Sequence, residues 1–343
     1  MKLKKEFDDF YAQICIDKEA EALKDKREIL EDDIKNKLPD ILGEHDISLN
    51  KSDIRMIDQG SYKYHTTIKS DVVDRDVAVI IPLDIDEQDD PREIKKYLRE
   101  AITIPTRTVS IKEPCVRASY YEDGKEWLHV DLPLYADHNG SLYLARGKEY
   151  GETYSWESAD PDSLNDTLCN TINGNEQLRR IIRYIKKWKN EAYANSKSDH
   201  EVPPSIGLTL LACDCFMPAI EDGKDYDLLS LKNTLKQIQG RFSLRFDAYY
   251  NVVGADIKRY LTVKPYTDVF DKMRNSSEQY MLTFYKRLST AVSNLEDAVN
   301  ASSDHDAALS VQKVLGDDFE VPEDASVKSA SILIKSKREH GFG

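Results

Sequence analysis

The chain has 343 residues, a formal net charge of −14 at pH 7 and 40% hydrophobic residues. This length suffices for two units with their own cores, and the hydrophobic content is that of a globular protein rather than a disordered one. Broad binding to nucleic acid needs many Lys and Arg side chains against phosphates, so the acidic balance argues against it. A small nucleotide triphosphate with its cation remains compatible with this charge.

Targeting signals and a disulfide framework are not expected. The sequence has no apolar run of about 18 residues, and Met-Lys-Leu-Lys-Lys-Glu at its start lacks the apolar segment of a signal peptide. Five scattered cysteines indicate reduced core thiols and no structural zinc. We therefore expect a cytoplasmic protein without a membrane partner.

The first half of the chain begins with a predicted long helix and continues as a sheet. Residues 17–38 carry Leu23, Leu30, Ile34 and Leu38 at helical spacing, and Pro39 is expected to end this helix. From about 54 to 145, short β-rich runs predict a sheet, with a helix over 92–102. The predicted strands are 77–81, 108–111, 116–121 and 127–135.

The second half is predicted to be helical. One apolar face is formed by Leu178, Ile181, Ile182, Ile185 and Trp188. A buried helix is expected to begin at Ser205, after two prolines, and further helices are predicted over 225–239, 247–260 and 275–302. The predicted organisation is an N-terminal helical brace (1–50), a catalytic core (51–160), a helical lobe (161–321) and a flexible C-terminal tail (322–343).

Two short motifs in the first half predict chemistry on a triphosphate. Asp74 and Asp76 alternate along a strand, so their carboxylates share one face. Carboxylate-rich oxygen sites suit Mg²⁺ or Mn²⁺ together with substrate phosphates. The Gly60-Ser61 turn upstream can offer backbone N–H and hydroxyl donors to those phosphates.

A third carboxylate is expected beside this pair. Leu128, Val130, Leu132 and Leu134 alternate onto one strand face and leave Asp131 on the other. Two-metal phosphoryl-transfer sites hold their ions about 3.5–4 Å apart, commonly with three carboxylates. The sequence therefore predicts a site made of Asp74, Asp76 and Asp131.

In this order and spacing, the motifs resemble the cGAS/DncV-like nucleotidyltransferases (CD-NTases), closest to their bacterial cyclic GMP-AMP synthase branch. The resemblance rests on Gln59 to Tyr64, Asp74-Arg75-Asp76 with Pro82, His129 to Tyr135, Arg183 to Trp188 and Pro204-Ser205-Ile206. It implies an α+β fold in which a polymerase-β-like sheet lobe packs with a helical C-terminal lobe. The active site is then expected in the cleft between the lobes.

The resemblance also implies residue roles. Asp74, Asp76 and Asp131 would be catalytic and hold two Mg²⁺ ions, with Mn²⁺ as the other candidate, and Asp131 would accept the proton of the attacking hydroxyl. The implied nucleotide-binding residues are Gln59, Gly60, Ser61, Tyr64, Arg117, Lys186 and Ser205. The alternative for Lys186 is an ordinary solvated charge on a helix.

This chain departs from the family pattern at several positions. Arg75 stands where close relatives have an apolar residue; we expect it to point away from the metals without loss of activity. Lys189-Asn190 replaces an Arg-Asp pair, which puts any role of that pair in doubt. The zinc-bearing, DNA-binding insertion of the animal relatives has no counterpart here, so activation by DNA is not expected.

The implied function is synthesis of a cyclic nucleotide of two or three units, purine-containing such as 3′,3′-cyclic GMP-AMP, from ATP and GTP or other nucleoside triphosphates. It would act as a monomer in bacterial anti-phage (CBASS) signalling through a downstream cyclic-nucleotide effector. The resemblance further suggests conjugation of Gly343 by an E1/E2-like enzyme, the alternative being an ordinary disordered terminus. Two other functions stay open: a terminal nucleotidyltransferase acting on RNA or protein, and a catalytically dead nucleotide-binding scaffold.

Overall fold

The computed structural model describes residues 1–16, 18–70 and 72–324. The helices are α1 (Lys4–Ile14), α2 (Lys18–Gly43), α3 (Gly60–Lys63), α4 (Pro91–Ile102), α5 (Pro161–Ile172), α6 (Glu176–Ala192), α7 (Ser205–Cys215), α8 (Asp227–Gly240), α9 (Asp271–Ser276), α10 (Glu278–Asn300) and α11 (Asp304–Leu315). The strands are β1 (Arg55–Gln59), β2 (Val73–Pro82), β3 (Thr108–Ile111), β4 (Val116–Glu122), β5 (Lys125–Leu132), β6 (Leu134–His138), β7 (Ser141–Gly147), β8 (Tyr154–Ala159), β9 (Ile220–Glu221), β10 (Lys224–Asp225), β11 (Ser243–Phe246) and β12 (Val252–Asp256).

These elements form two compact units. The sheet unit comprises Cys15–Gly174 and Tyr260–Asp268. The helical unit comprises Met1–Ile14, Asn175–Arg259 and the described residues from Val269 to Asp324. Helices α1 and α2, both within the segment predicted as an N-terminal brace, thus belong to different units; the predicted boundaries at 50, 160 and 321 stay predictions.

The sheet unit is built around β2, and the expected mixed α+β class is confirmed. Its sheet runs β3-β4-β5-β2-β6-β7-β8, and β1 pairs antiparallel with β2. The apolar run 77–81 is fully buried, as an uninterrupted hydrophobic strand requires. This central strand carries the two aspartates of the predicted site at its beginning.

The strand predicted over 127–135 is divided at Pro133 into β5 and β6. Both pieces pair in parallel with β2, which contacts β5 through residues 73–76 and β6 through residues 79–82. Proline has no N–H to donate to a ladder, but its carbonyl still accepts from the Val79 amide at 2.8 Å. The interruption therefore costs one hydrogen bond and leaves the register of the sheet intact.

Helix α2 does not end at Pro39, so that prediction was wrong. It continues to Gly43 with Pro39 inside it. Leu38 and Leu42 lie one turn apart on the buried face, and both are completely covered. Burying these side chains offsets the cost of about 3 kcal/mol that an internal proline carries.

The helical unit is organised by α6 and α10. The predicted apolar face of α6 is buried, and the helices predicted at Ser205 and over 225–239 are confirmed as α7 and α8. Phe7, Phe10, Tyr184 and Phe319 form an aromatic cluster with centroid distances of 5.1–6.0 Å. In the described part of the chain, no helix is both long and apolar enough to cross a bilayer.

One helix prediction in the second half was wrong. Residues 247–260 form no helix: the loop from 247 to 251 joins β11 to β12, because the Asp247 carboxylate accepts hydrogen bonds from the amides of Tyr249 and Asn251 at 2.8 Å. The helix predicted over 275–302 is confirmed as α10; it begins after Ser277, which is extended and whose hydroxyl caps the helix by accepting from the Gln279 amide.

Candidate active site

The two aspartates of β2 lie on one face of the strand. Asp74 is exposed and Asp76 is half-buried, whereas Val73, Arg75 and Val77 are buried on the other face. This alternation is the consequence of the two-residue period of a strand.

Strand pairing places four polar side chains in one row across the sheet, which we call the polar row. Gln59 of β1 pairs with Asp76, Asp76 pairs with Asp131 of β5, and Asp131 pairs with Arg117 of β4. Adjacent strands are about 4.8 Å apart, so neighbours in such a row can contact each other or a shared ligand. Asp74 lies two residues before Asp76, opposite His129.

Arg117 and Asp131 form a two-pronged ion pair. Arg117 Nε donates to Asp131 Oδ1 at 2.7 Å, and Nη2 donates to Oδ2 at 2.8 Å. Hydrogen bonding to Asp131 raises the pKa of Arg117 above its usual value, so the guanidinium remains charged. Sequence reasoning assigned Arg117 to phosphate; in the structure its partner is the third carboxylate.

The ion pair occupies both oxygens of Asp131, which a cation at this site would also need. Asp74, Asp76 and Asp131 do not bring three ligand atoms within 4.8 Å of one another; among the described residues, Asp84, Asp86 and His138 do. In that second group Asp84 and Asp86 are 51% and 86% exposed, and nothing in it faces the polar row by strand pairing. Three carboxylates on neighbouring strands have the donor chemistry for Mg²⁺, provided that Arg117 releases one oxygen of Asp131.

Gly60 packs its backbone directly against the polar row. It has a φ of +63°, and a Cβ built on it would lie 2.2 Å from Asp76 Oδ2. A side chain here would thus face both an unfavourable backbone conformation and a steric clash. The glycine lets the backbone at the start of α3 approach the Asp76 carboxylate, which is the arrangement that a triphosphate bound to a cation needs.

Ser61 follows in α3 and is held by the loop after it. Its hydroxyl lies 3.0 Å from the Thr67 hydroxyl, and its carbonyl accepts from the Thr66 amide at 2.9 Å. These contacts fix the beginning of α3, and the contact of Ser61 with phosphate stays a prediction.

Tyr64 and Gln59, on either side of Gly60 and Ser61 in sequence, form hydrogen bonds to other elements of the sheet unit. Tyr64 is buried and donates to Asn165 Oδ1 of α5 at 2.8 Å, while Asn165 Nδ2 donates to the Asp58 carbonyl at 3.2 Å. Burial raises the pKa of Tyr64, so its hydroxyl stays protonated. Gln59 Nε2 donates to the Tyr135 hydroxyl at 3.4 Å. Sequence reasoning missed Asn165, which is one polar residue among several on an ordinary helix.

Lys186 and Ser205 belong to the helical unit. Lys186 is buried on α6, so it is not the solvated helix charge that the alternative interpretation describes. Ser205 is the first residue of α7, and its hydroxyl accepts from Lys189 Nζ at 2.7 Å. Lys189 therefore contacts one of the predicted nucleotide-binding residues, although sequence reasoning noted it only as a departure from the family pattern. The approach of these residues to donor phosphates stays a prediction.

Comparison with known proteins agrees with this geometry. Residues 54–135, which contain the polar row and the Gly60 turn, match the family described as cyclic GMP-AMP synthase DncV-like, nucleotidyltransferase domain. A cyclic GMP-AMP synthase from Escherichia albertii is 26% identical over 207 residues, covering 53% of this chain but only 44% of that protein.

Solved structures share the fold over most of the chain. The apo form of Vibrio cholerae DncV superposes with a TM-score of 0.67 at 15% identity, covering 93% of this chain and 96% of that one. Escherichia coli CdnC, solved in a CdnC:HORMA-deltaN complex, gives a TM-score of 0.64 at 18% identity, covering 92% and 98%. Residues 54–135 thus match a DncV-like nucleotidyltransferase domain, and the chain has the fold of the solved DncV and CdnC structures.

Proposed function

We propose that this protein is a divalent-cation-dependent nucleotidyltransferase that joins nucleotides into a cyclic dinucleotide. The observation that carries the proposal is the polar row with the Gly60 turn packed on Asp76, inside the segment that matches the DncV-like domain. Three carboxylates beside a backbone turn free of side-chain bulk are what the transfer of a nucleotidyl group requires.

The carboxylates of Asp74, Asp76 and Asp131 would hold the cations, with Mg²⁺ or Mn²⁺ as the ions of matching chemistry. Bound there, the cations supply charge neutralisation on the triphosphate and a lower pKa for the attacking 3′-hydroxyl. Gly60 and Ser61 bind the phosphates through backbone N–H groups and a hydroxyl.

In this scheme Arg117 can bind either of two anionic groups, the Asp131 carboxylate or the triphosphate. In the structure it neutralises Asp131. When a triphosphate enters, the guanidinium can turn to the phosphate oxygens, for which its planar fork is equally suited. Asp131 then has an oxygen for a cation and can accept the proton of the attacking hydroxyl, directly or through water.

Purine nucleotides are the proposed substrates, with 3′,3′-cyclic GMP-AMP as product. The Escherichia albertii relative is named a cyclic GMP-AMP synthase, and the Vibrio cholerae enzyme was solved with the linear intermediate 5′ pppA(3′,5′)pG and with nonhydrolyzable GTP. Two successive transfers at one site would give first such a linear dinucleotide and then the ring. We place Lys186 and Ser205 at the donor phosphates in this scheme.

The products made from labelled ATP and GTP with Mg²⁺ or Mn²⁺ test the proposal. Small products that resist phosphatase support cyclisation, because a ring has no terminal phosphate. Labelled RNA or protein would instead indicate a terminal nucleotidyltransferase, and bound nucleotide without turnover would indicate a scaffold. Either of these results would overturn the proposal.

The wider setting is a proposal as well: bacterial anti-phage (CBASS) signalling, in which the cyclic product activates a downstream effector. Conjugation of Gly343 by an E1/E2-like enzyme belongs to the same hypothesis, and this glycine lies outside the described residues. Removing Gly343 should abolish attachment to cellular targets when the partner enzymes are present. Undiminished attachment would contradict it.

A further inference from the structure

Arg75 stands between the two site aspartates in sequence but faces away from them. Its side chain is only 5% exposed, on the face of β2 opposite the carboxylates of Asp74 and Asp76. A buried guanidinium is costly unless it is paired and hydrogen-bonded, so its contacts show what holds it there.

The guanidinium contacts three segments of the sheet unit. Nε and Nη2 lie 2.9 and 2.7 Å from Asp58 Oδ1. Nη1 donates to the Leu23 carbonyl of α2 at 3.1 Å. The guanidinium carbon lies 3.9 Å from the ring centroid of Tyr62, which is cation–π geometry.

Two of these contacts flank the turn that approaches Asp76. Asp58 lies two residues before Gly60 on β1, and Tyr62 follows Ser61 in α3. Arg75 therefore contacts the chain on both sides of the turn. Its neighbours in sequence are the two aspartates of the site. A planar fork can make these contacts at once, whereas the point charge of a lysine cannot.

We propose that Arg75 is a positioning residue that fixes the Gly60-Ser61 turn against the carboxylates of β2. The inference deepens the proposed function and rests on it. The side chain points away from the carboxylates, as the sequence analysis expects. The proposal adds that it holds the segment that would bind the triphosphate.

The sheet unit offers a matched control. Arg107 is likewise buried, with 1% of its side chain exposed, and pairs with Asp33 at 2.9 Å. It also donates to the Ile102 carbonyl at 2.7 Å and lies 5.9 Å from the Tyr120 ring centroid. Both arginines thus have one carboxylate, one carbonyl and one aromatic partner, but only Arg75 contacts residues that flank the turn.

The test compares the affinity of Arg75→Met and Arg107→Met for nonhydrolysable ATP and GTP with Mg²⁺, by calorimetry, alongside thermal unfolding. Both variants should lose stability. Arg75→Met should also bind the analogues at least about tenfold more weakly, a difference of ~1.4 kcal/mol, and Arg75→Lys should recover part of that loss. Arg107→Met should bind like the wild type.

Equal affinities in the two methionine variants would overturn the inference. If Arg75→Met does not fold, Tyr62→Leu decides in the same way, because it removes only the aromatic partner and should weaken binding in the same direction. Absence of analogue binding in the wild-type protein would count against the proposed function itself. Wild-type binding that none of these variants weakens counts against the role of Arg75 alone.

Discussion

Gly60→Ala tests whether activity depends on the close approach of the Gly60 backbone to Asp76, beyond the effect of backbone strain. An alanine at φ +63° costs about 1–2 kcal/mol in the left-handed region. Its Cβ, at 2.2 Å from Asp76 Oδ2, also forces that carboxylate off its rotamer, at about 0.5–1.5 kcal/mol more. We expect a stability loss of about 2–3 kcal/mol and, because misplacing a reacting group by about 1 Å can cost a hundredfold, a drop in kcat/KM of that order.

Gly124→Ala is the control for this prediction. Gly124 has a φ of +75° in the turn between β4 and β5, and no atom lies within 4 Å of a Cβ placed there. It should lose stability from backbone strain alone and keep most of its turnover. Urea unfolding and steady-state turnover of ATP and GTP measure both effects. Equal turnover in the two alanine variants would refute the importance of the Gly60–Asp76 contact.

Three further predictions concern single contacts. Tyr64→Phe removes the hydroxyl that donates to Asn165 and should cost about 1–3 kcal/mol of unfolding free energy, because a buried acceptor is left unpaired; an unchanged urea midpoint would contradict this. Arg117→Gln frees both oxygens of Asp131, so electron paramagnetic resonance should show tighter Mn²⁺ binding without nucleotide; unchanged or weaker binding would speak against competition for that carboxylate. Asp90→Ala removes the cap of α4 and should cost about 1 kcal/mol near neutral pH. Hydrogen bonding from the Arg92 guanidinium holds the pKa of Asp90 below its usual value. The stabilisation is therefore complete above the unfolded-state pKa of Asp90 and is lost as the pH falls through its folded-state pKa. Denaturant melts of both proteins should therefore converge at acidic pH, and a constant difference would show that the charge of Asp90 contributes nothing.

Local periodicity is why much of the sheet unit could be predicted. The run 77–81 and the alternation of Asp74, Arg75 and Asp76 depend only on neighbours in sequence, and both have the predicted orientation. The third carboxylate could be placed on a strand for the same reason. Its position level with Asp76 depends on strand register, which follows from the whole sheet.

Side-chain contacts between paired strands were beyond sequence reasoning. Arg117 pairs with Asp131 because two strands happen to be antiparallel neighbours in that register. Arg75 reaches Asp58 and Tyr62 through the pairing of β1 with β2. These carboxylate partners lie 14 and 17 residues from their arginines in sequence, and which residues face each other depends on the strand register, which no local pattern marks.

Turn chemistry and packing explain the wrong element assignments. Pro39 normally ends a helix, but the buried face on both of its sides keeps α2 intact. Asp247 closes a hairpin loop through its own carboxylate, which overrides the helical spacing of the surrounding apolar residues.

Two Asp-x-Asp pairs of the sheet unit, Asp74-Arg75-Asp76 and Asp84-Ile85-Asp86, allow a direct test of where the cations act. Asp74 and Asp76 lie beside Asp131, whereas the exposed Asp84 and Asp86 lie beside His138. The measurement is turnover of labelled ATP and GTP into phosphatase-resistant product by two double variants, Asp74→Asn/Asp76→Asn and Asp84→Asn/Asp86→Asn. We expect the first to lose all turnover while keeping its fold and the second to turn over like the wild type. Turnover that survives in the first variant, or disappears only in the second, would contradict the assignment of the catalytic site to Asp74, Asp76 and Asp131.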